Sequence, residues 1–223
     1  FPNVNQITLL RDADGDGVPE IREVFLKGQH QPFGMALIGS TLYVGNSNSV
    51  VAFPYEDGQT SIEAQGKTIF TMKDGGHWTR NLIPSADGTK LYVAIGSLSN
   101  IAEEGFEVEE GRACIVELDL TTGQNREFAG GLRNPVGMAW EPTDGKLWTV
   151  VNERDGLGDE TPPDYLTSVK DGGFYGWPYS YWGDTVDDRV QPQRTDLVAK
   201  ATAPDYALGG HTASLGLCWL PAG

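Results

Sequence analysis

The chain has 223 residues, 39% hydrophobic and 10% aromatic, with 29 Gly and 13 Pro, a composition that can bury a core and lies outside the range of disordered chains. Sixteen Lys and Arg against 31 Asp and Glu leave a net charge of −15, the wrong sign for tracking a phosphate backbone or an anionic membrane surface, so neither nucleic acid nor acidic lipid is expected as a partner. The same acidic balance suits an oxygen-lined site for a divalent cation, calcium above all.

No stretch approaches the ~18 consecutive apolar residues that cross a bilayer, so no membrane span is expected. The start, Phe1-Pro-Asn-Val, has neither an initiator Met nor the basic and apolar regions of a signal peptide, which sets the expectation of a processed or cut chain. The first elements are strands, Ile7-Thr-Leu-Leu and Ile21-Arg-Glu-Val-Phe-Leu. Between them, Asp12, Asp14, Asp16, Glu20 and Glu23 occupy positions 1, 3, 5, 9 and 12 of a calcium loop, with Gly17 at the turn position and the Val18 carbonyl at position 7. Strands rather than helices flank this loop, so it reads as a calcium-holding cap on a hairpin, with the three Asp the firmest ligands. A bare, solvated acidic turn is the alternative.

Further along, one phrase recurs. Pro32-Phe-Gly-Met-Ala-Leu leads to Leu42-Tyr-Val, Asn81-Leu-Ile-Pro to Leu91-Tyr-Val, and Pro135-Val-Gly-Met-Ala-Trp to Leu147-Trp-Thr-Val. Each is strand, turn, strand, and the period suits a four-stranded propeller blade of ~40–50 residues with loop insertions. Later strands of these units are legible in Val50-Val-Ala-Phe and Ala113-Cys-Ile-Val-Glu-Leu, and a further opening strand is expected over Leu215–Leu220. The expected fold is therefore all-β: an incomplete propeller ring of about three full four-stranded blades plus parts of two more, one domain over residues 1–223 truncated at both ends. A single β-sandwich is the alternative. Cys114 and Cys218 lie in apolar runs without metal or redox spacing, so two buried free thiols are expected rather than a disulfide.

The corners that open successive units carry the candidate chemistry. Asp74-Gly-Gly-His77 places an imidazole just before one inner strand, and Gly131-Leu-Arg133-Asn134 places a guanidinium and an amide at the same point of the next unit. Radial repetition should turn both corners toward one axial face. Each also has a structural reading, His77 as a satisfied core histidine and Arg133-Asn134 as a turn lock. The aromatic run Phe174-Tyr-Gly-Trp177-Pro-Tyr-Ser-Tyr181-Trp182 could stack on a sugar or planar cofactor, or pack between blades.

His77-Trp-Thr-Arg-Asn-Leu with Gly96-Ser, Gly131-Leu-Arg-Asn-Pro-Val-Gly-Met-Ala-Trp, Asn152-Glu-Arg-Asp with Gly158-Asp-Glu, and Gly172-Gly-Phe-Tyr-Gly-Trp-Pro, in this order, resemble the glucose/sorbosone dehydrogenase family, in particular its L-sorbosone dehydrogenase-like branch. The resemblance spans nearly the whole chain. It implies a six-bladed propeller carrying pyrroloquinoline quinone (PQQ) and calcium on its axis, and oxidation of a sugar or aldehyde with an external electron acceptor, in the periplasm or outside the cell. By the same resemblance His77 matches the catalytic base, and Arg133 and Asn134 match the pair contacting quinone and substrate. Arg154 and Asp155 align with a Gly-Pro step whose carbonyls bind calcium, although neither Gly nor Pro stands there.

The expectation is a quinoprotein dehydrogenase. Two readings of other kinds stand beside it. A calcium-dependent lactonase-like propeller hydrolase would need carboxylate or Asn ligands converging on the axis. A non-enzymatic glycan- or protein-binding propeller would use the aromatic face.

Overall fold

The computed structural model describes residues 5–220. Two strands, β1 (Gln6–Arg11) and β2 (Ile21–Lys27), pair antiparallel as a hairpin. Next come β3 (Gly34–Ile38), β4 (Thr41–Asn46), β5 (Ser49–Pro54) and β6 (Lys67–Thr71), a four-stranded antiparallel meander. A second meander follows in β7 (Leu82–Pro84), β8 (Lys90–Ile95), β9 (Cys114–Asp119) and β10 (Asn125–Gly130). The third begins with β11 (Pro135–Trp140), β12 (Leu147–Val151) and β13 (Pro163–Ser168). The chain then makes an excursion through β14 (Gly173–Phe174), the small hairpin β15 (Ser180–Tyr181) and β16 (Thr185–Val186), and the short helix α1 (Thr195–Val198). It returns as β17 (Tyr206–Gly210), the outer strand of the third sheet, while β14 pairs parallel to the outer edge of β10.

The inner strands start at Gly34, Leu82 and Pro135, where the repeated phrase placed them. The hairpin and the three sheets stack as layers, and the period-2 alternation of strands shows how. Leu91, Val93 and Ile95 of β8 face the first sheet with Ala36 and Val50. Tyr92 and Ala94, on the opposite face of the same strand, pack toward the third sheet with Met138, Leu147 and Tyr165. Phe25 and Leu26 of the hairpin close against Leu42, Val44 and Phe53.

Successive inner strands lie against one another. Gly34 N donates to Arg80 O at 3.1 Å, and Asn81 Nδ2 donates to Val136 O at 2.8 Å. A Cβ on Gly34 would collide with the Arg80 carbonyl, and one on Gly137 with the backbone of Gly216 and Leu217. The Gly of the repeated Pro-x-Gly-Met-Ala phrase is thus the point where the following layer crosses its predecessor.

Two expectations change, and of the two readings of the aromatic run the packed one holds. Leu215–Leu220 crosses β11 at Gly137 but pairs with no strand among the described residues, so it has no ladder. Cys114 is buried as expected, whereas Cys218 is exposed on that unpaired segment; both are free thiols. The aromatic run packs rather than forming an open platform: Tyr175 and Trp177 are buried, with Tyr175 OH donating to Ser168 O at 2.6 Å and Trp177 Nε1 to Asn100 O at 2.9 Å. Among the described residues no helix is long and apolar enough to cross a membrane.

Candidate active site

His77 is set by the loop that follows β8. Its backbone N–H donates to Ser97 O at 3.1 Å, and its Nδ1 lies 2.9 Å from the same carbonyl and 3.1 Å from Ser97 Oγ. A carbonyl has no proton to give, and Ser97 Oγ donates its own to Ser99 O at 2.7 Å. The neutral ring therefore carries its proton on Nδ1 and its lone pair on Nε2. Burial pushes the His77 imidazole below its ordinary pKa of 6.5, and the positive charges of Arg133 and Arg112 push the same way; the Ser97 carbonyl and Glu109 oppose them. A neutral, acceptor-competent Nε2 at pH 7 follows.

The second corner meets the first across Gly96. A Cβ placed there would collide with Asn134 Oδ1 and come within 2.6 Å of His77 Cβ, so the two side chains converge over a residue that must be glycine. Ser97 N donates to Arg133 O at 2.7 Å, tying the corners together. Asn134 Nδ2 reaches Asn152 Oδ1 at 3.3 Å, and its buried Oδ1 has no hydrogen-bond partner. The expected grouping of His77, Arg133 and Asn134 at one place is what the backbone builds.

The Arg133 guanidinium is held by the loops around it. Its Nε donates to Asn100 O at 3.2 Å, Nη1 to Asn152 O at 3.3 Å and Glu153 O at 2.7 Å, and Nη2 to Asn100 Oδ1 at 2.9 Å with Asp155 Oδ2 3.7 Å away. Most of its five N–H donors are engaged by neighbouring loops, so it reaches the cleft as a charge and as a tie between loops. Around these residues lies an open cleft of about 390 Å³ lined by Gly76, His77, Leu98, Asn100, Glu103 and Arg133 among others.

Arg154 and Asp155 do not form the carbonyl step expected of them. Arg154 is buried in an ion contact with the buried Asp187, Nε to Oδ2 2.9 Å. The Asp155 carbonyl already accepts from Asn100 Nδ2 at 3.0 Å, and its carboxylate meets His211 Nδ1 at 3.1 Å. With two guanidinium groups beside it, this step does not suit a cation.

On the β1–β2 turn, by contrast, carboxylate oxygens of Asp12, Asp14, Asp16 and Glu20 all lie within 4.8 Å of one another. Asp12 accepts from Gly17 N at 2.7 Å and Gly15 N at 2.6 Å, contacts that lower its pKa. Glu23 is not part of this group: it lies within β2, opposite Leu9, and Glu20 takes the converging place. Val18 sits at the exposed tip, its N–H donating to Asp16 Oδ1 at 2.7 Å.

Several residues around the site were not singled out from the sequence. Asn100 bridges Arg133 and Asp155, and Glu109 and Arg112 hold the loops on either side of His77. His30 sits just before β3, at the corner equivalent to His77, and its Nε2 contacts Asp74 at 2.7 Å. Its place ahead of a repeated strand was the available clue.

Layered antiparallel sheets, with an imidazole and an amide meeting at adjacent inner-strand corners, make an all-β, propeller-like fold. Residues 4–180 match the TrAA12-like family, and the chain belongs to it. A pyrroloquinoline quinone-dependent sugar dehydrogenase of Hypocrea jecorina is 29% identical over 173 residues, covering 65% of this chain and 40% of that protein. An uncharacterized protein of Borreliella burgdorferi is 29% identical over 147 residues, 63% of this chain and 36% of its own. Among solved structures, the calcium structure of the Trichoderma reesei family AA12 enzyme superposes with a TM-score of 0.81 at 21% identity over 96% of this chain and 66% of that one. The holo pyranose dehydrogenase PQQ domain of Coprinopsis cinerea gives 0.74 at 22% over 91% and 60%. At these identities the solved structures speak to the fold alone. The chain spans 40% and 36% of the lengths of the two curated relatives.

Proposed function

We propose that this chain carries the base side of a PQQ-dependent dehydrogenase acting on a sugar or aldehyde, within a six-bladed ring that further blades complete, working in the periplasm or outside the cell. The observation that carries the reading is the Nδ1–H bond of His77 to the Ser97 carbonyl, which leaves Nε2 as a base in an open cleft beside Arg133. The residues fit a polar, planar ligand: His77 offers Nε2, Asn134 offers a buried acceptor without a partner, and the positive charge of Arg133 stands behind both. PQQ, when bound, supplies the two-electron acceptor, which an external oxidant later restores.

The protein's own part is proton handling and orientation. His77 Nε2 takes the proton of the C1 hydroxyl of an aldose, or of an aldehyde hydrate, as hydride leaves the same carbon; the products are a lactone or a carboxylic acid. Arg133 and Arg112 disfavour the imidazolium so formed, so the proton passes readily to water at the open mouth. Asn134 orients the substrate-side ligand, and Arg133 fixes loops 100 and 152–155 around it. Calcium is proposed at Asp12, Asp14, Asp16 and Glu20, far in sequence from His77, where it would cap the β1–β2 hairpin.

No observation favours the other two readings. The one group of converging metal-ligand side chains among the described residues lies on the β1–β2 turn rather than at the corners, and the aromatic run is packed. The test is loading with PQQ and calcium followed by dye reduction on aldoses and aldehydes. Turnover that collapses in His77→Ala with quinone binding kept supports the reading; lactone hydrolysis without dye reduction overturns it.

A further inference from the structure

The connection between β8 and β9, residues 96–113, is long where β4 and β5 are joined by a tight turn. Loops of that length inside a compact sheet usually have work to do. Glu109 and Arg112 reach from it to two different backbone segments, joined by the Arg112 N–H bond to Glu109 O at 2.9 Å.

Glu109 is buried and grips the segment behind His77. Its Oε2 accepts from Leu98 N at 2.8 Å, and its Oε1 from Ser99 N at 2.8 Å and Ser99 Oγ at 2.6 Å. Ser97 Oγ in turn donates to Ser99 O at 2.7 Å. Ser97, the residue that receives the imidazole, is thereby fixed in orientation. Arg112, also buried, takes the approach to His77: Nη1 donates to Lys73 O at 3.1 Å and Nη2 to the carbonyl of Gly75. Arg80, fully buried with its pKa lowered to about 10 by burial, closes the turn through Nη1 bonds to His77 O at 2.6 Å and Thr79 O at 2.8 Å.

We propose that Glu109 and Arg112 are positioning residues that clamp His77 from two sides and hold its imidazole as the Nδ1–H tautomer facing the cleft. The proposal rests on the dehydrogenase reading only for what the base is used for; the clamp is a property of the fold. Their charges also reach the ring. Glu109 raises the basicity of His77, while Arg112 and Arg133 lower it, and Glu103 and Glu104 line the same cleft. Residues bound to backbone so closely transmit small displacements, and an offset of ~1 Å at a base can cost a hundredfold in rate.

The test is long-range ¹H–¹⁵N NMR of the imidazoles in the 223-residue chain, which has three His, with His77→Asn giving the assignment. The wild type should show His77 with its proton on Nδ1. Glu109→Gln should move its titration to lower pH and Arg112→Gln to higher pH. Unfolding would carry His77 upward toward its solution value, so a downward shift in Glu109→Gln cannot come from a lost fold. Glu109→Ala should move the ring toward the Nε2–H tautomer, and in PQQ-loaded protein Glu109→Gln should lose roughly tenfold to a hundredfold in kcat with a smaller change in KM. An unchanged tautomer and unchanged titration in both Gln variants overturn the clamp. Shifted imidazole signals in this chain, with a protein carrying all its blades that binds PQQ yet never reduces dye, leave the clamp standing and remove the dehydrogenase reading.

Discussion

Arg133 Nη1 lies 2.7 Å from the carbonyl oxygen of Glu153, and through that bond the second corner of the site governs the loop after β12. Arg133→Lys keeps the charge but loses the forked set of donors, which an ammonium on a flexible stem does not reproduce. With several buried hydrogen bonds removed at ~1 kcal/mol each, the variant should be destabilised by ~2–4 kcal/mol. Thermal unfolding reads this directly. A Tm equal to that of the wild type would mean that the guanidinium acts only on a ligand.

Activity should depend on neutral His77. Since burial and the nearby Arg133 and Arg112 depress its pKa below 6.5, turnover should be flat through neutral pH and fall in acid, with the midpoint below 6.5. His77→Ala should remove this limb and lower kcat by ~10²–10⁴. A limb centred above pH 7, or one retained in the alanine variant, would assign the base elsewhere.

Glu153 carries a pH dependence of stability. Its carboxyl is buried, Oε1 has no partner, and burial raises its pKa from 4.5 to about 7. Between those values the folded state holds the proton that the unfolded state has released, so stability is full below pH 4.5 and lost as pH rises through 7. Glu153→Gln removes the ionisation and should stabilise the protein by up to ~3 kcal/mol at pH 8 while changing little at pH 4.5. Parallel Tm curves for the two proteins across that range would show that Glu153 ionises at its ordinary pKa.

Millimolar calcium should raise the Tm of the wild-type chain through the β1–β2 turn, by ~2.7 kcal/mol of linkage at a hundred times Kd. The double variant Asp12→Ala, Asp16→Ala should lose that response while folding normally in its absence, because all four carboxylates of the group are exposed. A response unchanged in the variant would place the cation elsewhere, and no response in either protein would leave only a hydrogen-bonded turn.

Much of this was legible in the residues. The phrase shared by Pro32-Phe-Gly-Met-Ala and Pro135-Val-Gly-Met-Ala placed two inner strands because the crossing of layers forbids a side chain at its Gly, and that constraint leaves a mark in sequence. His77 and Arg133-Asn134 could be grouped for the same reason, since repetition fixes where a corner points. Glu109 and Arg112 could not be found this way. They lie in Glu103-Glu-Gly-Phe-Glu-Val-Glu109-Glu-Gly-Arg112, which reads as a solvated acidic loop, and only long-range packing selects which carboxylate goes inward. The loop contacts of Arg133 were hidden likewise, because three of its four hydrogen-bond acceptors are backbone carbonyls of residues 100, 152 and 153, and carbonyls have no residue type. β17 escaped notice because Tyr206–Gly210 shows little alternation and finds β13 only after a long excursion.

The two-faced packing of β8 also sets the order in which the molecule opens. Leu91, Val93 and Ile95 support one neighbour while Tyr92 and Ala94 support the other, so the middle sheet is released only when both flanks have gone. Among the described residues, the β1–β2 hairpin packs against the first sheet only. Amide protons of β8 and β9 should exchange with solvent last and those of β1 first, a gradient in local opening free energy running through the stack. Ser97 and the segment that seats His77 begin at the end of β8, so the base is mounted beside the strand whose amides should exchange last.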